Sequence, residues 1–321
     1  MRIVLLASGD FASPTLRALA HPSSPHELVA VVTQPDRGSG RGRKTTPTPV
    51  KIEAGELGIE AVSVEDVNTA ESVERLASYQ ADLGLVIAFG QKIGPAARAT
   101  FRRDCVNLHA SLLPKYRGAA PFQWAIINGE ERTGVTVFRL VDRMDAGPIY
   151  TQRWTSVKPE ERANELHDRL AAIGVDAVKA TLEILENERD FEPAPQNDAE
   201  ATRAPKLSKA DGLIQFDLPV DELANRICGL WSWPGAKCGF QASAGGEVDP
   251  LTVAWARVAD RRKPEEAPGV LDYRLYAAAA DGYLEILEVQ PAGRRVMAFA
   301  DYVNGRHIQP GDRLVNAASL D

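Results

Sequence analysis

Cysteine is scarce in this chain. Its 321 residues include three, Cys105, Cys228 and Cys238, with no CxxC spacing and no histidine pair nearby. That removes a cysteine-built zinc site from consideration and leaves a disulfide framework without support, so a reducing cytoplasm is the expected compartment. Long hydrophobic runs are also missing. The N-terminal IVLLA is too short for a signal-peptide core and reads as a first β-strand, and nothing approaches a membrane span. Nor is there excess positive charge. The 37 Lys and Arg against 44 Asp and Glu leave a formal charge of −7. This excludes a chain coated in positive charge but not a local basic patch.

With 44% hydrophobic and 25% charged residues, the composition is that of a soluble globular protein, and the length suggests two domains. Short apolar runs alternate with helical patterns through the first half. Strands are expected over Ile3–Ala7, Leu28–Thr33, Leu83–Phe89 and Val106–Ala110, and helices over Pro14–Leu19, Val50–Leu57 and Ala70–Ser78. Fully apolar runs such as LGLVIAF suit a parallel sheet covered on both faces. The alternation predicts an open, doubly wound α/β sheet joined by right-handed crossovers. Thr133–Val141 and Ile149–Val157 then read as a hairpin around DRMDAGP. An amphipathic helix follows over Arg162–Asn187, its Leu166, Leu170, Ile173, Val178, Leu182 and Leu185 approximating a 3.6-residue period.

Composition shifts at FEPAPQNDAEATRAPKLSK, which lacks a core pattern. Residues 190–205 are expected to be a linker between a first domain over 1–189 and a second over 206–321. The second shows a helix over Val220–Leu230 and strand-like runs at Leu251–Val258, Gly269–Leu271, Leu275–Ala279 and Tyr283–Gln290. That pattern suits a small β-barrel, in which Trp231 and Trp233 are expected to pack as core anchors.

The polar residues of interest sit in CVNLHASLLPKYRG. Asn107 and His109 stand two apart, on one side of a strand's pleat. Ser111 follows at the carboxyl end, where open α/β sheets bind ligands. Asp145 lies in DRMDAGP. An amide donor, a base that titrates near neutrality and a carboxylate are what acyl transfer to an amine needs. The donor stabilises an oxyanion, the imidazole takes a proton, and the carboxylate orients the imidazole or takes the proton onward. Ser111 has no GxSxG setting, which favours direct attack over a covalent intermediate. On residue types alone the bland alternative stays open: a structural strand-end histidine, and an aspartate capping its own turn.

NLHASLLPKYRGAAP followed by GVTVFRLVDRMDAGPIY resembles the folate-dependent formyltransferase family. TQPDRGSGRGRKTTPTPVK, KLSKADGLIQFD, LEVQPAGRRVMAFADYVNGR and PGDRL extend the likeness over nearly the whole chain, and look most like the members that act on aminoacylated tRNA. The resemblance implies a Rossmann-like catalytic domain and an OB-like second domain. It implies 10-formyltetrahydrofolate as donor and initiator methionyl-tRNA as acceptor. No cluster of residues requires a metal, no membrane is expected as a partner, and a monomer is expected. Carried over by position, Asn107 would hold the formyl oxygen, and His109 and Asp145 would manage the protons. Ser111, Leu112, Leu113 and Pro114 would line the folate site, with a cis peptide before Pro114. The backbone at Phe89, Gly90, Gln91 and Ile93 would help form the pterin pocket. Arg37, Arg41, Arg43 and Lys44 would meet the tRNA acceptor end, pairing phosphates or stacking on bases. Arg294 and Arg295 read equally as phosphate contacts or as an exposed turn.

Two features depart from the family pattern. ASGDF replaces the usual GTP-x-F, placing Ser8 and Gly9 where Thr and Pro are common, and from Lys206 onward Asp and Glu slightly outnumber Lys and Arg. The rival expectations are a formyltransferase for another amine such as an amino sugar nucleotide, a non-catalytic RNA-binding protein, and a hydrolase releasing formate from the same folate. Replacing Arg41 and Arg43 by alanine is expected to raise KM for tRNA in a steady-state assay while folate binding stays unchanged. A fall in folate affinity instead would move the loop out of the RNA site.

Overall fold

The computed structural model describes residues 1–39, 44–188 and 190–316. The chain forms two compact units. One comprises Met1–Gly118, Gly134–Thr155 and His167–Arg203; the other comprises Ala119–Thr133, Ser156–Leu166 and Ala204–Asp321.

The strands of the first half are β1 (Arg2–Ala7), β2 (Glu27–Thr33), β3 (Arg37–Ser39), β4 (Lys44–Thr46), β5 (Ala61–Ser63), β6 (Leu83–Ile87), β7 (Asp104–His109), the two-residue β8 (Arg117–Gly118), β9 (Arg132–Arg139) and β10 (Ile149–Ser156). The helices are α1 (Ser13–Ala20), α2 (Pro49–Glu56), α3 (Ala70–Ser78), α4 (Pro95–Arg98), α5 (Pro121–Ile127) and α6 (Ala163–Asn187). Seven strands form one sheet in the order β10-β9-β7-β6-β1-β2-β5. Pairings β1–β2, β1–β6, β2–β5 and β6–β7 are parallel, and β7–β9 is antiparallel. The mostly parallel, Rossmann-like α/β expectation therefore holds. The order reverses beside β1, and a sheet that reverses there leaves a crevice at its carboxyl edge.

The apolar runs become strands because both their faces are covered. Val4 and Leu6 of β1 pack in one cluster with Leu76 of α3, Ala97 of α4 and Phe101. Ile3 and Leu5, pointing the other way, are fully buried too. Helix starts follow their caps: the Thr48 hydroxyl accepts from Lys51 N ahead of Pro49, and the Thr69 hydroxyl accepts from Ser72 N. Strand β6 stops at Ile87, two residues short of the expected end at Phe89. Ala88 turns to φ 47° and Gly90 to φ 80°, which throws the chain out of the sheet at its carboxyl edge.

In β7, Cys105 shares a face with Asn107 and His109 and packs in the cluster with Phe101 and Ala97. Leu108 points to the opposite face, against α6. A Cβ on Gly174 would lie 2.6 Å from Leu108 Cδ2, so the helix approaches the strand as closely as a glycine allows.

The two-residue β11 (Arg203–Ala204) spans the division between the units, and the second unit then holds α7 (Val220–Leu230), β12 (Ala236–Gln241), β13 (Asp249–Asp260), β14 (Ala277–Ala278), β15 (Tyr283–Pro291), β16 (Met297–Ala298), α8 (Phe299–Arg306) and β17 (Arg313–Asn316). The sheet order is β14-β15-β13-β12-β17, with β16 on β15, and the registered pairs are antiparallel. Isolated bridges Leu271↔Ala277 and Val270↔Arg313 nearly close the ring. The expected strand at Gly269–Leu271 thus contributes only bridging residues. Two pieces of the first half are fastened here. Ile127 of α5 abuts Gly229 of α7. The Arg162 guanidinium lies 4.9 Å from the Trp255 ring centroid and 2.8 Å from Glu288 Oε2.

The tryptophan expectation needs correction. The barrel interior is filled by Leu, Ile, Val and Ala with the rings of Phe216, Phe240, Phe299 and Tyr302. Trp231 is half-buried and Trp233 is 50% exposed. Among the described residues no helix is long and apolar enough to cross a membrane.

All three cysteines are free and buried. Burial pushes each thiol up, Cys228 and Cys238 to about 12. An aromatic disulfide reagent at pH 8 should therefore find no fast-reacting thiol in the native protein and all three after denaturation in urea. One thiol reacting within seconds in the native state would contradict this packing.

Candidate active site

The site begins with one hydrogen bond. His109, at the end of β7, is 6% exposed and its Nε2 lies 2.8 Å from the carbonyl oxygen of Tyr116. A carbonyl only accepts, so Nε2 carries the proton and, in the neutral ring, Nδ1 carries the lone pair. Nδ1 lies 3.9 Å from Asp145 Oδ2. The ring meets Phe138 edge-on, with centroids 6.4 Å apart. Asn107 is half-buried on the same face, and among the described residues its side-chain amide has no hydrogen-bond partner. The three residues singled out from sequence thus include two brought directly together and a third two positions along the strand.

Asp145 sits in a tight turn with φ 51°. Its Oδ2 accepts from Gly118 N at 2.8 Å. Its carbonyl accepts from Gln196 Nε2 at 2.9 Å, and the Gly147 carbonyl accepts from the same nitrogen at 2.7 Å. Gly147 must be glycine here, since a Cβ would fall 1.8 Å from the Arg139 carbonyl oxygen. Gln196 Oε1 in turn accepts from Arg117 Nε and Nη2, at 3.0 and 2.7 Å. Asp198 binds Arg117 Nη2 at 2.8 Å and both terminal nitrogens of Arg143 at 2.7 Å. Hydrogen bonds from Arg143, then from Arg117, hold its carboxyl down to about 2. Sequence reasoning missed Arg117, Arg143, Gln196 and Asp198. The last two lie within 190–205, a stretch that also exchanges both backbone hydrogen bonds between Ala194 and Ile149, at 2.7 and 2.9 Å.

The loop after β7 is tied from within. Ser111 is fully buried and its hydroxyl donates to the Lys115 carbonyl at 2.7 Å. Thr136 of β9 donates to the Ser111 carbonyl at 2.7 Å and accepts from Leu113 N at 3.1 Å. Gln152 Nε2 donates to the Leu113 carbonyl at 2.9 Å. The Leu113–Pro114 peptide is cis, as the resemblance implied. Leu113 is buried, whereas Leu112 and Pro114 are half-buried.

On the other side of the crevice, Phe89 and Ile93 turn their side chains into the core, so only their backbone can face a ligand. Gly90 is exposed. Gln91 uses its amide on Val67 N and the Val64 carbonyl, at 2.8 and 3.0 Å. The two departures in ASGDF explain themselves here. The Ser8 hydroxyl donates to the Phe89 carbonyl at 3.1 Å and accepts from Gln34 N at 3.0 Å, tying the ends of β1, β2 and β6. Gly9 N donates to the Ala88 carbonyl at 3.2 Å, a bond proline could not make.

Comparison with known proteins gives this geometry its context. Two family models match, one described as Formyl transferase over residues 1–182 and one as Formyl transferase, C-terminal domain, over residues 206–307. The chain is 40% identical over 315 residues to the methionyl-tRNA formyltransferase of Solibacter usitatus, covering 98% of each chain. It is 38% identical over 317 residues to that of Moorella thermoacetica, covering 98% of this chain and 99% of the relative. The chain belongs to the methionyl-tRNA formyltransferase family. Solved structures agree in fold. HypX from Aquifex aeolicus, in complex with tetrahydrofolic acid, aligns with a TM-score of 0.61 at 18% identity over 94% of this chain and 47% of that one. WlaRD, a sugar 3N-formyl transferase, aligns with a TM-score of 0.63 at 16% identity over 92% and 99%.

For a member of the methionyl-tRNA formyltransferase family, the basic candidates fall in two places. Arg37 and Lys44 lie on β3 and β4, paired antiparallel as Arg37↔Thr46 and Ser39↔Lys44. Arg41 and Arg43 lie outside the described residues. Arg294 and Arg295 are exposed in the turn after β15, where Arg294 N donates to the Pro291 carbonyl at 3.0 Å.

Proposed function

We propose that this chain transfers a formyl group from 10-formyltetrahydrofolate to the α-amino group of initiator methionyl-tRNA by direct amine attack. The observation that carries the reading is the free Asn107 amide beside a His109 whose tautomer is set by Tyr116 and whose open nitrogen faces Asp145. Binding alone has no need of that arrangement.

The crevice suits a flat heteroaromatic ring with polar edges. Half-buried Leu112 and Pro114 offer apolar surface. Among the described residues the backbone N–H groups of Gly90 and Gln91 have no protein acceptor. Ser111, Leu113, Phe89 and Ile93 hold the walls from behind. The folate supplies an amide-like formyl carbon and leaves as tetrahydrofolate. Asn107 offers its N–H to the negative charge that develops on the formyl oxygen. An α-amino group has a pKa of about 7.7–8.0, so a usable fraction is neutral near pH 7. His109 Nδ1 takes the proton that the amine loses on attack, Asp145 stabilises the imidazolium so formed, and the imidazolium returns that proton to folate N10 as the bond from N10 to the formyl carbon breaks. Arg37, Arg41, Arg43 and Lys44 contact the acceptor end, and residues 206–321 add further RNA contacts through Arg294 and Arg295. With net charge slightly acidic there, those contacts depend on placement and weaken with salt. All three catalytic groups come from one chain, so a monomer suffices, working in the cytoplasm.

The test is formyl transfer to charged initiator methionyl-tRNA, with elongator methionyl-tRNA and free methionine as controls. Transfer should be fast to the initiator alone. Asn107→Ala should lower kcat by roughly 10²–10³, the usual loss for an oxyanion donor, with an unchanged melting temperature because its amide supports no fold contact. A fully active Asn107→Ala would remove it from the chemistry. No transfer to any of the three acceptors would overturn the acceptor assignment.

A further inference from the structure

Gln196 lies in the polar, proline-rich stretch after α6, far in sequence from the residues it binds. Its amide has one orientation, because its partners permit no other. The Arg117 guanidinium can only donate, and the Asp145 and Gly147 carbonyls can only accept. All four hydrogen-bonding sites of the amide are therefore filled. The two bonds from Nε2 grip the turn on either side of Ala146.

That turn needs holding. Asp145 is in the left-handed region, at φ 51°, where a residue with a Cβ is disfavoured. A turn released from the clamp would relax toward commoner backbone angles and swing its carboxylate. Arg117 completes the device. Its neighbour Gly118 binds the Asp145 carboxylate through N–H at 2.8 Å. One short segment thus fixes the side chain of Asp145 directly and its backbone through Gln196. Asp198 draws Arg117 and Arg143 to a common carboxylate, closing the network two residues before Asp145.

We propose that Gln196 is a positioning residue that, braced by Arg117, keeps the Asp145 carboxylate facing His109 Nδ1. The proposal rests on the reading of Asp145 as the carboxylate partner of His109. Sub-ångström placement matters for such a pair, since displacement by about 1 Å can cost about 10²-fold in rate.

The experiment measures kcat and both KM values for Gln196→Ala, Gln196→Glu, Asp145→Asn and the Gln196→Ala/Asp145→Asn double variant, with melting temperatures alongside. Gln196→Ala should lower kcat by about 10- to 100-fold while both KM values stay near the parent's. Gln196→Glu keeps a partner for Arg117, and so keeps the fold, but sets a carboxylate against two carbonyl oxygens. It should lose kcat as well. In the Asp145→Asn background, Gln196→Ala should add little further loss, because a residue acting only through Asp145 has nothing left to position. Full activity in both Gln196 variants would overturn the proposal and leave the role of Asp145 standing. Losses that multiply in the double variant would overturn it too, assigning Gln196 a general structural role. Full activity of Asp145→Asn would remove the catalytic reading of Asp145 first, and this proposal with it.

Discussion

The proposed chemistry turns on the bond from His109 Nε2 to the Tyr116 carbonyl. It decides which imidazole nitrogen is available, and it does so with a backbone group that cannot change protonation state. Most of the surrounding structure keeps that carbonyl and that ring in register. Tyr116 N is held by the Thr202 hydroxyl at 2.8 Å, and Ser111 and Thr136 pin the loop that leads to it. Beneath, β7 is paired on both sides, to β6 and to β9. A site on the end of a doubly paired central strand inherits the rigidity of the sheet.

Asp145 is held differently. Its strand-to-strand turn has no sheet pairing of its own, and its backbone is in a region that costs free energy. The compensation comes from Gly118, Gln196 and the shared Asp198 pair, groups brought in from two distant stretches of chain. The two residues proposed to handle the proton are therefore supported by separate means: His109 by sheet and loop, Asp145 by a polar clamp.

The parallel strands were legible because burial on both faces leaves uninterrupted runs such as IVLLA and LGLVIAF. The NxH spacing showed, from pleat geometry alone, that Asn107 and His109 share a face. The left-handed Ala88 that ends β6 was not legible, since nothing about alanine announces such a conformation. Gln196 and Arg117 were hidden for another reason. A polar residue in a proline-rich stretch carries no periodic signal, and its value lies in partners it meets only in the folded chain. The barrel shows the same limit. Ala236–Gln241 has too few β-branched residues to read as a strand, and its place is set by pairing with β13 and β17. Trp233 shows the converse: a large aromatic does not enter a core that smaller side chains already fill.

The most direct test is the tautomer of His109, read by nitrogen NMR on protein with labelled histidine, at a pH where its ring is neutral, with His109→Gln to assign the signal. The expected result is a proton on Nε2 and a bare Nδ1. A proton on Nδ1 would mean that the nitrogen facing Asp145 cannot accept the amine's proton, and the assigned roles of both residues would be wrong.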